Sequence, residues 1–218
     1  MDAIGVPLPS VDMIGVPETS RGTWTQLTQG RRFYPMDPQP AEIFIEDIAK
    51  SLSKQIRFNG LADKDVNVAH HSVNAAWLAE VKGYSFEVQL AMLMHDAPEY
   101  ILGDMIRPLK SLFPEFVVIE NQLMVVIIRR FNLPVIDHKL IKFFDNLCLA
   151  WEHRDMYPSA ENWPMLPDVP DCCYTMETWS AEKSEHMFLD MFSSLQYHLH
   201  KKRTSDPTYD WSEGSIMS

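Results

Sequence analysis

Cysteine and glycine are scarce in this sequence, with three and eight among 218 residues. Cys148 stands alone and Cys172 and Cys173 are adjacent. That gives neither a disulfide framework nor a CxxC zinc pattern, and points to a reduced, cytoplasmic setting (the host cytoplasm if the chain is phage-encoded). Few glycines together with 46% hydrophobic residues exclude a disordered or low-complexity chain. Basic residues are in deficit, 19 against 30 acidic, for a formal net charge of −11. A surface of that sign argues against duplex DNA or RNA as a main partner, because backbone phosphates need a basic face. A nucleotide needs only a few local cations and stays open. No apolar run approaches the ~20 residues that cross a bilayer, so no membrane partner is expected. Residues 1–20 lack the basic and continuous apolar regions of a signal peptide.

The length suits one domain with a real core. We expect an extended leader over 1–22, a single domain over 23–200 and a polar tail over 201–218. The leader holds a short echo, Ile4-Gly5-Val6-Pro7 and Ile14-Gly15-Val16-Pro17, too brief for a repeat architecture. Residues 23–34 read as a short β-type segment turning at Gly30. Beyond the prolines at 35, 38 and 40 the periodicity is helical. Helices are expected over about 41–55, 67–82 with a stop at Gly83, and from a Ser85 N-cap to the His95 region. A remnant should reach Gly103. Further helices are expected from 114 to 131, from Pro134 as a first-turn proline to about Trp151, and from 180 to 200. The stretch 157–173, with four prolines, reads as a loop. Helix follows helix without strands between them, so the fold class is all-α, a bundle of about six helices with a short N-terminal β-type segment.

His95-Asp96 directly follows the most apolar helix, Val88 to Met94. Burying such groups unpaired costs several kcal/mol, on the order of 2–7 for one uncompensated polar group. Either a hydrogen-bonded pair or a metal must satisfy them. Two other apolar helices carry matching anomalies: His70-His71 before, and Asp145 after Phe143-Phe144. One imidazole, a His-Asp pair and one carboxylate from three helices make a four-ligand set suited to a divalent transition metal.

That order of residues resembles the HD-domain superfamily. His71-Ser72 is similar to its first histidine motif. His95-Asp96-Ala97-Pro98-Glu99 with Leu102-Gly103-Asp104 resembles elements of bacterial HD 5′-deoxynucleotidases, as do Pro108-Leu109-Lys110 and the Lys142-x-x-Asp145 spacing. Glu46-Asp47-Ile48-Ala49, Arg57-Phe58-Asn59-Gly60, Trp24, Gly30-Arg31-Arg32 and Ala150-x-Glu152-x-Arg154-Asp155 resemble phage HD hydrolases. Lys50 stands where that lead-in usually has His, and His70 where Glu or Gln is usual. Spacing to Ser72 favours His71 over His70 as the ligand.

The resemblance, covering about residues 23–156, implies an HD helical bundle and a metal-dependent phosphohydrolase of deoxynucleotides. It implies one divalent transition metal (Zn, Co or Mn) on His71, His95, Asp96 and Asp145, with room for a further Mg or Mn carried by the substrate phosphates. Glu99 and Asp104 would be catalytic, Glu99 by orienting water and taking its proton. Arg57, Phe58, Lys110 and Lys142 would contact substrate. Among the phage relatives are dATP triphosphohydrolases, which remove dATP so that another purine enters the genome; the expected reaction is dATP to deoxyadenosine and triphosphate. A 5′-deoxynucleotidase acting on dNMPs and a non-catalytic nucleotide-binding HD module are the alternatives. A di-iron HD oxygenase needs further histidines between Asp96 and Asp145, where only His138 lies. Whether the chain forms a homo-oligomer is open at this point.

Overall fold

The computed structural model describes residues 20–158, 161 and 163–205. The Ile-Gly-Val-Pro echo and nearly all of the expected leader lie outside them, as does the tail beyond Ser205. The chain divides between Gln39 and Pro40 into two compact units.

In the first unit, β1 (Thr25–Gln26) pairs antiparallel with β2 (Arg32–Phe33). The turn between them needs left-handed backbone at Gln29 and Gly30 (φ 56° and 76°). Arg21 ties the end of the unit together, pairing with the Asp37 carboxylate and lying over the Tyr34 ring.

The second unit is helical, so the all-α expectation holds. It comprises α1 (Ile45–Leu52), α2 (Val68–Val81), α3 (Phe86–Met94), α4 (Glu99–Leu102), α5 (Arg107–Lys110), α6 (Pro114–Phe131), α7 (His138–Met156) and α8 (Ala181–Ser205). No helix among the described residues is long and apolar enough to cross a membrane. The centre is α2, which packs on α3, α7 and α8. Eleven of its fourteen residues are buried. Its small side chains Ala69, Ser72, Ala75, Ala76 and Ala79 let three neighbours approach at once. Asn67 caps it, its side chain accepting from the His70 N–H at 2.9 Å. Gly83, at φ 76°, ends it in the left-handed region that glycine adopts without strain. Around α2, Leu90, Met92, Leu93, Phe144, Trp151 and Phe188 are fully buried.

Several boundaries differ from the sequence expectation. The first helix is shorter, because a 3-10 turn (Pro40–Glu42) precedes it and residues 57–60 form a separate tight segment. Ser85 occupies the N-cap position of α3 but makes no side-chain capping bond. Pro134 does not open α7. Asp137 does, its carboxylate accepting from the Lys139 N–H at 3.0 Å. A side-chain cap satisfies an orphan donor, whereas a proline merely tolerates the position. At the other end α8 continues to Ser205, five residues past the expected stop.

Candidate metal centre

Four polar side chains meet where α2, the end of α3 and α7 converge. His71 Nε2 lies 3.4 Å from His95 Nε2, 3.5 Å from Asp145 Oδ1 and 3.6 Å from Asp96 Oδ2. His95 Nε2 lies 3.1 Å from Asp96 Oδ2 and 4.0 Å from Asp145 Oδ1. An ion with bonds of about 2.0–2.2 Å holds its ligand atoms roughly 3.0–3.6 Å apart, so most of these spacings suit a shared cation.

The neighbours fix which atoms face inward. His71 Nδ1 lies 2.7 Å from Glu152 Oε1, and His95 Nδ1 lies 2.6 Å from the Met92 carbonyl oxygen. Carboxylate and carbonyl oxygens only accept, so each Nδ1 carries the proton and donates. In the neutral ring that leaves a lone pair on each Nε2. Two imidazole lone pairs and two carboxylates then face one another with no donor among them. His71, His95 and Asp145 form a group able to hold a metal ion, and Asp96 lies within the same ring of contacts. The residues present therefore fit a divalent cation by donor type and spacing. Without a cation, protons must stand in. Burial and the Arg57 charge oppose a proton on His71, yet Glu152 and Asp145 outweigh them and raise its pKa well above the ordinary range. Burial opposes ionisation of Asp145, but His71, His95 and Lys142 hold its carboxyl well below the usual range.

A second layer braces these groups. Glu152, fully buried, holds His71 with one oxygen and accepts from Arg57 Nε at 3.2 Å with the other. The outer oxygen of Asp145 accepts from Arg107 at 2.7 Å and from Lys142 Nζ at 2.9 Å, which turns its inner oxygen toward His71. Histidines that hold metals commonly have such carboxylate partners on the other ring nitrogen. A further grouping, His71, Cys148 and Glu152, is buried behind the first. Glu152 there is already engaged by His71 and Arg57, and burial pushes the Cys148 thiol up, so this grouping backs the first rather than competing with it. His70 points elsewhere: its ring stacks on Trp179 at 3.9 Å and 12°, and burial lowers its pKa to about 4.

Asp96 and Asp145 of the cluster line a cleft of about 930 Å³. Glu99 and Asp104 line it as well. Glu99 is 5% exposed and its Oε2 has no hydrogen-bond partner. Burial, with Asp96 and Asp104 nearby, pushes its pKa up to about 10. Asp104 is raised too, first by burial, and its backbone N–H is held by Gln55 at 3.0 Å. Arg107, Lys110, His138 and Lys142 also line the cleft, as do Phe58, Tyr157 and Trp163. The Phe58 ring meets Tyr157 at 5.3 Å and Trp163 at 6.4 Å, both edge-on. Phe58 and Asn59 have left-handed backbone, φ 58° and 54°. Such strain in non-glycine residues costs about 1–3 kcal/mol each and gathers at functional sites.

All ten residues singled out from the sequence thus lie in the cluster or along its cleft. Two are less free than expected. Lys110 is paired with Glu120 at 2.6 Å, and Arg57 is committed to Glu152. Sequence reasoning passed over Glu152 as a site residue and missed Arg107, Tyr157 and Trp163. Glu152 was findable, since it follows Asp145 by seven residues and so shares its helix face.

Fold and cluster together define an all-helical protein with a potential metal centre at its heart. No family model matches the chain. It is 39% identical over 118 residues to an uncharacterized protein of Rhodobacter capsulatus, covering 52% of this chain and 60% of that one. It is 32% identical over 168 residues to the uncharacterized protein YfdR of Escherichia coli (strain K12), covering 76% of this chain and 92% of YfdR. The chain belongs to the family of YfdR.

Proposed function

We propose that this protein is a metal-dependent phosphohydrolase of the HD type that acts on deoxynucleotides, converting dATP to deoxyadenosine and triphosphate. The observation that carries the reading is the convergence of acceptors only, His71, His95, Asp96 and Asp145, with the two carboxylates opening onto a cleft lined by both cations and aromatic rings. The motif resemblance supplies the phosphohydrolase chemistry and the adenine preference. The cleft volume is near the upper end of the ~300–1,000 Å³ typical of small-molecule sites, which suits a whole nucleotide.

A divalent ion on these four residues would polarise a phosphoryl oxygen and offset its charge. Glu99 is buried with one oxygen unengaged; the charge of a cation in the cluster would draw its raised pKa down, and the carboxylate then orients the attacking water and takes its proton. The water oxygen bonds to phosphorus while the bond from phosphorus to the sugar oxygen breaks, and that oxygen leaves as a hydroxyl with the proton that Glu99 took from the water. Asp104, which lines the cleft within reach of the Arg57 charge, holds the water or a sugar hydroxyl. Lys142 and Arg107 are half-exposed and each spends only part of its N–H donors on Asp145. The remaining donors offset the charge of the phosphate chain. Phe58, Tyr157 and Trp163 offer ring surface to the base.

The test is a screen of the four dNTPs, the NTPs and the dNMPs with Mn, Co, Zn and Mg, resolving the products. We expect deoxyadenosine and triphosphate from dATP. Stepwise dADP and dAMP would exclude release of the intact chain, equal rates across bases would exclude adenine selectivity, and activity confined to monophosphates would make the protein a 5′-deoxynucleotidase.

A further inference from the structure

Helix α6 is poorly packed for its composition. Of its eighteen residues only Leu123 and Ile127 are buried. Yet it carries Phe116, Val117, Val118, Ile119, Val125, Val126 and Ile128 as well. Val118 is 55% and Val125 43% exposed. An apolar helix face left in water is unfavourable unless something covers it.

The exposed stripe has an order of its own. Glu115, Val118, Gln122, Val125 and Arg129 are all exposed and are spaced three, four, three and four residues apart. That spacing puts them on one seam, on the side of the helix away from Leu123 and Ile127. The half-buried Ile119 and Val126 flank it. The seam is self-complementary. Read from either end about Gln122 it runs charge, valine, amide, valine, opposite charge. A second α6 laid antiparallel along it therefore sets Glu115 against the partner's Arg129 and Gln122 against its own copy, with Val118 level with the adjacent valines at 125 and 126 of the second copy. That is the pattern a two-fold interface demands, since one patch must complement itself. Neither Glu115 nor Arg129 makes an ion pair among the described residues.

We propose that the exposed face of α6 is the interface of a two-fold homodimer. The occupant is a second copy of this chain because the seam matches its own reversal in both charge and apolarity. The contact has a consequence for the cleft, since Val117, Glu120 and Asn121 of the same helix line it. The partner's α6 braces a wall that the bundle holds through Leu123 and Ile127 and, at its C-terminal end, through Arg130 and Phe131. An 18-residue helix is about 27 Å long, so the contact is small as stable interfaces go and the dimer dissociates on dilution.

Sedimentation equilibrium of the full chain over a wide dilution series tests this, with far-UV circular dichroism to check folding. Wild type should approach twice the 25.2 kDa chain mass at the highest concentrations. Glu115→Arg alone and Arg129→Glu alone each place like charges across the axis, and should weaken the dimer at least about tenfold. The double variant restores opposite charges in reversed order and should regain the dimer. Val118→Ser should weaken it without altering charge. A monomeric wild type at every concentration overturns the proposal. So do single variants that dimerise normally, or a double variant that stays as weak as the singles.

Discussion

Replacing Glu152 with Gln probes the support beneath the cluster while leaving its four inward atoms in place. Glu152 is fully buried and has two partners, the His71 Nδ1–H at 2.7 Å and the buried Arg57 Nε at 3.2 Å. Glutamine can still accept from one of them. Its amide nitrogen is a donor, however, and would face the other donor. The variant thus loses one charge-assisted hydrogen bond, worth about 1.5–3 kcal/mol, and leaves the Arg57 charge short of its nearest counter-ion. Breaking a buried ion pair from one side typically costs about 3–5 kcal/mol. Arg57 keeps a weaker contact with Asp96 at 3.8 Å, so we expect about 2–4 kcal/mol. Metal affinity should fall about 10–100-fold, because the His71 tautomer is no longer pinned. Urea unfolding of the chelator-treated protein gives the first quantity, and competition titration with Co(II) gives the second. Arg57→Met combined with Glu152→Gln should recover part of the stability and none of the affinity. Wild-type stability and affinity in Glu152→Gln would refute the account of the buried brace.

Asp145→Asn replaces an inward carboxylate by a neutral amide and His95→Ala removes an inward imidazole, and both should abolish stoichiometric metal binding, read by metal analysis after gel filtration, while circular dichroism stays helical. Glu99→Gln keeps the shape and removes the base, so the rate should drop by ~10²–10⁴ with metal and nucleotide binding retained; a near-normal kcat would move proton transfer to Asp104. In metal-free protein the raised Glu99 pKa of about 10 means that the folded state holds a proton the unfolded state has released. That contribution is complete below the unfolded carboxyl pKa, near 4.3, and is lost as pH rises toward about 10. Apo wild type should therefore lose stability between pH 6 and 9 relative to Glu99→Gln, and unfolding curves that change in parallel would contradict this.

The cluster was legible in sequence because it violates local pattern. His71, His95-Asp96 and Asp145 are ionisable groups on or beside helices that are otherwise apolar, and burial forces such groups to find partners. Helix α3 was legible for the same reason in reverse, since a helix that is apolar nearly all round, as Val88 to Met94 is, has to be buried. What surrounds the cluster was harder to read. Asn59-Gly60 marks a turn, but nothing in the sequence marks Phe58 itself as left-handed. Tyr157 and Trp163 lie where no periodicity operates, and only tertiary folding brings them beside Phe58. Lys110 could not be seen to pair with Glu120, because a surface cation carries no mark of its partner. At α7 the proline cue at 134 competed with the Asp137 cap, and the cap determined the start.

The most direct test of the central claim is to strip the protein with chelator and restore Mn(II) or Co(II) in steps while measuring deoxynucleoside release from dATP. We expect no turnover in the stripped protein, then activity rising with metal bound at the cluster to a plateau, and neither binding nor turnover there in Asp145→Asn. Full activity without metal, or a fully loaded cluster that hydrolyses no deoxynucleotide, would contradict it.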